Sequence, residues 1–478
     1  MFVRVGFDIS PNYLHTNSTS HTGPFSAIAE LIDNAYDPGV DAEQIWITMT
    51  QIREMECLTF RDNGNGLSSD KMLEMLSFGY SDKKAEKGKH PIGIYGNGFK
   101  SGSMRLGQDA IILSKSENEE CVGMLSQTYL EKILAKQITV PIISTKKPGE
   151  KHSGSEMWEN RASLSAILEH SPFKTEEELL TELEAIEGPT GTKIIIWNLR
   201  RASERNMELD FTKENDIRFP CDDTSDTSVP DYNSSLRAYC SILYLKPKMQ
   251  INIQGKKVET DPITKGLTNP HKKYYTPKTV KEKIPIIFGD NRSKTKYGLM
   301  MYHKNRLIKA YLRVGCQLKA KNRRGVGVIG VIECIYLKTT HNKQDFEDTI
   351  TYRNTIQNVA SKLRDYSGKR RINSRAEAVI EISETSISNT PQTSGEGPSG
   401  TKRPRRNCDD GESVTDRVLS NSAAPTLLPQ LIPYIDVEKK ELQEANSKPN
   451  ERKTATEGPN REPELKGEAV GEGECQPF

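Results

Sequence analysis

The sequence is poor in the features that would place it in several common classes. It has three tryptophans, and aromatic residues make up 7% of its 478 positions. No apolar run approaches the roughly 20 residues that cross a bilayer, so no helical membrane span is expected. The eight cysteines (Cys57, Cys121, Cys221, Cys240, Cys316, Cys334, Cys408 and Cys475) never stand at C-x2-C spacing, and no histidine completes a finger-like set. A structural zinc site is therefore not expected. Scattered single cysteines suit a reducing compartment. Residues 1–6 lack the charged and apolar regions of a secretory signal, so a soluble intracellular protein is expected. An excess of one charge is missing too: 67 Lys and Arg against 65 Asp and Glu leave a net charge of +2. Contact with nucleic acid would have to come from a local basic patch, not from a global field.

What is present divides into three regions. Up to about residue 199, amphipathic helical runs alternate with glycine loops and β-rich strings at 44–50, 57–61, 110–114, 138–143 and 193–198. Such irregular alternation predicts an α+β domain. The acidic, leucine-spaced stretch 176–187 reads as a helix closing before Gly188 and Pro189. A second region, about 215–366, opens with a predicted helix over 234–245. It carries strand-like strings at 249–253, 296–302, 306–311 and 327–333, and closes with a helical pattern over 344–366. Between them, 256–283 reads as a lysine-rich, proline-punctuated loop. A sheet covered by helices is the economical fold. The remainder, 367–478, is too poor in apolar residues to offset its ordering entropy and is predicted to be disordered. Within it, Lys402-Arg403-Pro404-Arg405-Arg406 reads either as a nuclear-import cluster or as a solvated charge run.

Residues 20–36 read as a helix that Thr22 or Ser20 caps and in whose first turn Pro24 is tolerated. Phe25, Ile28, Ala29, Ile32, Ala35 and Tyr36 form its apolar face. Glu30, Asp33, Asn34 and Asp37 emerge side by side on the other. With no basic residue beside them, these groups repel unless water or a cation relieves them. Either the stripe is solvated, or Asn34 offers a neutral oxygen to Mg2+ while Glu30, one turn earlier, reaches a water aligned with a phosphoryl group.

Three glycine turns follow. Asp62-Asn63-Gly64-Asn65-Gly66 is a strand-exit turn, or a site where the Asp62 carboxylate accepts from the exocyclic amine of adenine. Gly93-Ile94-Tyr95-Gly96-Asn97-Gly98-Phe99-Lys100-Ser101-Gly102 exposes backbone N–H groups ahead of a helix, a phosphate cradle in physical terms. It is not a P-loop, because no glycine immediately precedes Lys100, and it is not a dinucleotide fingerprint, because 83–90 is a charged loop and not a strand. Glycine-rich 79–102 also suits a lid. In Gly188-Pro189-Thr190-Gly191-Thr192, Thr192 either bonds a phosphate or holds a strand edge.

The order of these pieces resembles the ATPase superfamily of DNA gyrase, MutL, the large heat-shock chaperone and sensor histidine kinases (GHKL). More closely, His15-Thr16-Asn17-Ser18-Thr19-Ser20-His21-Thr22, Ala29-Glu30-Leu31-Ile32-Asp33-Asn34-Ala35-Tyr36-Asp37 and Tyr95-Gly96-Asn97-Gly98-Phe99-Lys100-Ser101-Gly102-Ser103 look like the microrchidia (MORC) proteins. So do Val314-Gly315-Cys316-Gln317-Leu318 and His341-Asn342-Lys343-Gln344-Asp345-Phe346. The resemblance covers roughly residues 8–366. It implies an α+β, Bergerat-type GHKL sandwich over 8–200, with 1–22 as a dimerisation segment. A ribosomal-protein-S5-like α/β transducer over 215–366 and the disordered tail 367–478 would follow.

Residue by residue, the resemblance implies that Glu30 polarises the attacking water and that Asn34 binds Mg2+. Asp62 reads the adenine amine in a pocket shaped by Gly64 and Gly66. Gly96, Asn97, Gly98, Phe99, Lys100 and Ser101 belong to the lid and phosphate-contacting segment, and Thr192 backs the adenine and phosphate side. Lys343, from the second domain, meets the γ-phosphate; on pattern alone it is an ordinary solvated lysine at a helix start. The family further implies slow ATP hydrolysis, an ATP-dependent homodimer, nuclear localisation, and a part in chromatin compaction or gene silencing. Non-specific DNA contact would use lysine-rich loops such as Lys272, Lys273, Lys278, Lys281 and Lys283, or Arg323 and Arg324. The CW-type zinc module usual in this branch is not expected, since only Cys408 and Cys475 and no tryptophan follow Tyr366. Direct reading of methyl-lysine histone tails is accordingly not expected. The alternative is a nucleotide-gated dimeric scaffold with little turnover, against which the presence of Glu30 argues.

Overall fold

The computed structural model describes residues 5–79, 91–93, 96–146, 160–220, 231–260, 262–291, 296–318 and 325–387. The chain divides into two units, Met1–Pro391 and Gln392–Phe478. The second unit, with the basic cluster at Lys402, lies outside the described residues, as do Ile94, Tyr95, Arg323, Arg324 and residues 80–90 of the expected lid.

The first half of the chain runs β1 (Val5–Phe7), α1 (Asn12–Ser18), α2 (Pro24–Tyr36), β2 (Gln44–Ile52), β3 (Met55–Asp62), α3 (Ser69–Leu76), α4 (Gly98–Leu106), β4 (Gly107–Lys115), β5 (Glu119–Ser126), α5 (Gln127–Lys132), β6 (Ile138–Val140), β7 (Ile142–Lys146), α6 (Arg161–His170), α7 (Glu176–Glu184) and β8 (Gly191–Leu199). The second half runs α8 (Leu236–Ser241), β9 (Gln250–Ile253), β10 (Lys256–Lys257), β11 (Thr268–Tyr275), β12 (Ile284–Asp290), β13 (Gly298–His303), β14 (Arg306–Leu312), β15 (Val328–Glu333) and α9 (Ile350–Ile387).

The larger sheet has the order β10-β9-β2-β3-β8-β4-β5-β7. Ile28 and Ile32 of α2 join Ile47, Leu58, Ile112 and Ile195 of its strands in one core. The smaller sheet has the order β11-β12-β15-β13-β14, with β13 and β15 parallel. Strand periodicity sends alternate residues to opposite faces. In β13, Leu299 and Met301 pack with Val359 and Leu363 of α9. Met300 and Tyr302 pack on the other side with Leu307, Ile329 and Val331.

The structure revises several expectations. Helix α2 starts at Pro24 because Gly23 is extended, with φ −135° and ψ 158°, and α1 precedes it. The string 138–143 is broken at Pro141, which has no N–H to give a ladder: β6 pairs with β1 and β7 with β5. The string 249–253 belongs to the first sheet, because β9 pairs in parallel with β2. The lysine-rich loop contains strand β11, exposed at all positions but Lys273 and Tyr275. As an edge strand it bonds one neighbour and needs no apolar alternation, and lysine is a usual edge residue. Residues 367–387, expected to be disordered, continue α9. They hold no proline, and extending a packed helix is far easier than nucleating one. No helix among the described residues is long and apolar enough to cross a membrane.

Candidate functional site

The polar stripe of α2 is not solvated. Glu30 is 4% exposed, and Asp33 and Asp37 are fully buried. Their partners come from distant sequence. Lys343, in the loop before α9, places Nζ 2.7 Å from Glu30 Oε2 and 3.2 Å from Asp33 Oδ2. Arg306, first residue of β14, donates Nε at 3.1 Å to both oxygens of Asp33, and the Tyr244 hydroxyl donates to Oδ1 at 2.8 Å. The expectation of a stripe without basic partners is thus corrected: two cations from the second domain balance two carboxylates. Such balance is needed, since an isolated buried charge is heavily penalised.

Lys343 also departs from its pattern reading. It is 4% exposed, and its φ of +51° is uncommon outside glycine. Asn342 shapes this turn, its Oδ1 accepting from Thr340 Oγ1 and the Gln344 N–H. Its Nδ2 donates to Ser20 O at 2.7 Å, tying the turn to the segment before α2.

Burial raises the pKa of Glu30, and neighbouring Asp33 raises it further, against the opposing pull of Lys343. Burial would raise Asp33 as well, but Arg306 and Lys343 outweigh it and hold that carboxyl below its usual range. Glu30 Oε1 is buried with no hydrogen-bond partner among the described residues. A buried acceptor left open is rare and calls for a partner. Asn34, one turn after Glu30 on the same face, is half-buried.

Helix α4 packs across α2 through glycines. A Cβ at Gly98 would stand 2.5 Å from Glu30 Oε2, and one at Gly102 would stand 2.9 Å from Ala27 O. Gly96 has φ +65°. Asn97 precedes the helix, and its Oδ1 accepts from Gly79 N at 3.3 Å. Ser101 Oγ donates to Gly98 O and lies 3.0 Å from His21 Nε2. Phe99 and Lys100, expected in the phosphate-contacting segment, are both buried in the fold. Phe99 is a core residue, 3% exposed. The Lys100 ammonium donates to Met75 O at 2.8 Å and to Ser77 O at the C-terminal end of α3. Carbonyls at a helix end attract a cation, while burial pulls the Lys100 pKa down to about 7. The base of the expected lid is held by Asp37, whose two oxygens accept from Ile92 N at 2.7 Å and Gly93 N at 3.0 Å.

The second cluster follows from strand register. Asp62 of β3 lies opposite Thr192 of β8, which lies opposite Ser114 of β4. Asp62 Oδ1 accepts from Gly64 N at 2.9 Å. Burial raises its pKa to about 6 against the pull of the Gly64 and Thr192 backbone N–H groups. Ser114, which sequence reasoning missed, accepts from Leu67 N at 2.8 Å, donates to Gly191 O, and lies 3.1 Å from Thr192 Oγ1. The glycines of this turn are required. A Cβ at Gly64 would meet Val40 Cγ1 at 2.6 Å; at Gly66, where φ is +69°, it would meet Lys115 O at 1.8 Å.

Glu30 and Lys343 are therefore brought into contact, and Asp62, Gly64 and Thr192 into a second group. Arg306 and Tyr244 were not foreseen. The one available signal was an arginine heading a mostly apolar strand, where a buried guanidinium must find a counter-charge.

Two family models match the chain. Residues 21–154 match "Histidine kinase-, DNA gyrase B-, and HSP90-like ATPase", and 234–367 match "Morc6 ribosomal protein S5 domain 2-like". The chain is 53% identical over 398 residues to MORC family CW-type zinc finger protein 3 of Mus musculus, covering 80% of this chain and 42% of that protein. It is 36% identical over 383 residues to Protein MICRORCHIDIA 6 of Arabidopsis thaliana, covering 75% and 56%. With Protein MICRORCHIDIA 2 of the same plant it shares 38% over 377 residues, covering 71% and 58%. It spans about half the length of these curated relatives. With a GHKL-type ATPase domain followed by an S5-like domain, the chain belongs to the microrchidia (MORC) family.

Proposed function

We propose that this chain binds ATP with Mg2+, hydrolyses it slowly, and uses the bound nucleotide to close a homodimer of a nuclear factor acting in chromatin compaction or gene silencing. The observation that carries the reading is the contact of Lys343 with Glu30, which sets a cation from the second domain beside a carboxylate whose other oxygen is open. Asp62 would accept from the adenine amine, with Gly64, Gly66, Thr192 and Ser114 around it. Asn34 would supply one neutral oxygen to Mg2+, an ion that keeps most of its waters and offsets phosphate charge. Glu30 Oε1 would accept a hydrogen bond from the attacking water and take its proton. Lys343 would place its charge where negative charge develops on the terminal phosphate. Gly96, Asn97, Gly98 and Ser101 would line the phosphate side, and Lys100 would fix the root of the lid to α3.

Residues 1–22 would cross to the partner on closure, and the tie between Ser20 and Asn342 supports a link between that segment and the Lys343 turn. Exposed Lys272, Lys278, Lys281 and Lys283 would meet DNA phosphates.

The test is size-exclusion chromatography with light scattering without nucleotide, with ATP and with a non-hydrolysable analogue, on this chain and on Glu30→Ala. The expected result is a dimer with the analogue, and a Glu30→Ala dimer that persists in ATP. Normal turnover by Glu30→Ala would remove the general-base assignment. DNA binding should weaken as salt rises; salt-independent binding would count against backbone contacts.

A further inference from the structure

Asp33 takes no part in the scheme above, yet three side chains of the second domain contact it. It lies one turn from Glu30 and is fully buried. It accepts from Arg306 Nε on both oxygens, from Tyr244 on Oδ1, and from Lys343 on Oδ2. Lys343 is thus divided between two carboxylates, with the shorter contact to Glu30. Within this buried group two negative charges face two positive ones.

We propose that Asp33 is a positioning residue for ATP hydrolysis: it shares the Lys343 ammonium with Glu30, which loosens the grip of Lys343 on Glu30, so that Lys343 can turn to a phosphate and leave only Glu30 without a cation. The inference rests on the ATPase reading of the same site. When the ammonium leaves the carboxylates, Asp33 still has Arg306 and Tyr244, so its buried charge keeps its partners. Glu30 is then the single carboxylate without a cation, which is the condition a base needs to take a proton from water. Without Asp33, Lys343 and Glu30 form a closed ion pair. The base stays neutralised. Arg306 meanwhile loses its counter-ion, so the docking of β14 on α2 and the freedom of Lys343 are governed by one carboxylate.

This separates Asp33 from a residue that only holds the fold. Removing Asp33 and Arg306 together keeps the buried site neutral, because one charge of each sign is lost, yet still deprives Lys343 of its second partner. The experiment therefore compares the full chain with Asp33→Asn/Arg306→Gln and with Asp33→Glu, reading binding of a non-hydrolysable ATP analogue and single-turnover hydrolysis. The expected result for the double variant is analogue affinity within about threefold of the starting protein and hydrolysis slower by about tenfold or more, the signature of an interaction lost on the way to the transition state. Asp33→Glu, which keeps a carboxylate on a longer arm, recovers part of the rate.

A second readout uses no nucleotide. Thermal unfolding of Asp33→Asn, Lys343→Met and the pair forms a double-mutant cycle, and contacting groups give non-additive shifts. Hydrolysis by Asp33→Asn/Arg306→Gln within twofold of the starting protein overturns the proposal. So does a loss of affinity that accounts for the whole loss of rate, or additive unfolding shifts. If the starting protein itself binds the analogue but never hydrolyses ATP, the ATPase reading fails and takes the catalytic role with it. Non-additivity in the cycle would then record Asp33–Lys343 as a docking contact alone.

Discussion

Two buried aspartates near the site are pushed in opposite directions. Among the described residues Asp62 has no cation beside it, so burial prevails and its pKa is raised to about 6; Asp33 has two, and its pKa falls. A carboxyl raised in the fold stabilises the protein most below its unfolded pKa, and that contribution is lost as pH rises through about 6. Asp62→Asn keeps an oxygen for Gly64 N and avoids the buried charge. It is expected to stabilise the nucleotide-free chain by about 2–3 kcal/mol above pH 7 while weakening nucleotide binding. In the starting protein, affinity should be flat above pH 7 and fall as pH drops through about 6, because a protonated carboxyl is a weaker acceptor for an amine than the carboxylate. Isothermal titration across pH checks both. A variant whose affinity keeps the same pH dependence would clear Asp62 of the role. The acid and amide of α2 and the Asp62 turn were legible because their spacing is local. Arg306 was not: its carboxylate is 273 positions away, and no window of sequence reports a contact at that separation.

Helix α4 is where element packing meets the chemistry. Gly98 can lie against the Glu30 carboxylate only because it has no Cβ, which would sit 2.5 Å from Oε2. Gly98→Ala must displace either an ion-paired carboxylate or the helix itself. The expected cost is about 1–3 kcal/mol, the usual range for overpacking, with turnover reduced more than analogue binding. Gly368→Ala is the contrasting case. A Cβ there meets nothing within 4 Å, and the position lies inside α9, so a gain of about 0.5–1 kcal/mol is expected from reduced chain entropy. Thermal unfolding of the two variants should move in opposite directions; equal shifts would count against the packing argument. Strands β2, β3, β4 and β8 were readable from β-rich strings because each is apolar enough to stand out. Strand β11 was hidden since an edge strand dominated by Lys, His and Tyr has the composition of a loop. The partner of β9 was hidden because periodicity identifies a strand but not the sheet it joins.

At the scale of the molecule, the first domain's core and the α9 side of the second sheet form separate apolar clusters, and much of what joins α2 to β14 is polar. Arg306 grips Asp33, Asn305 Nδ2 donates to the Tyr36 hydroxyl at 2.7 Å, and Tyr36 stacks on Tyr244 at 4.2 Å. A seam held by charge responds to pH differently from one held by apolar area. The folded pKa of Asp33 is depressed, so its stabilisation is fully present above the unfolded value and is lost as pH falls through the folded one. Calorimetry near neutral pH should therefore show one cooperative transition, which separates into two below the ordinary carboxylate range. Arg306→Met leaves Asp33 buried with only Lys343 and Tyr244, and breaking one side of a buried pair costs about 3–5 kcal/mol. It should show the separated transitions already at neutral pH, with the later one close to that of the starting protein at acid pH. If Arg306→Met still melts in a single step, the two domains are held by apolar packing, and the ion pair is a passenger at their junction.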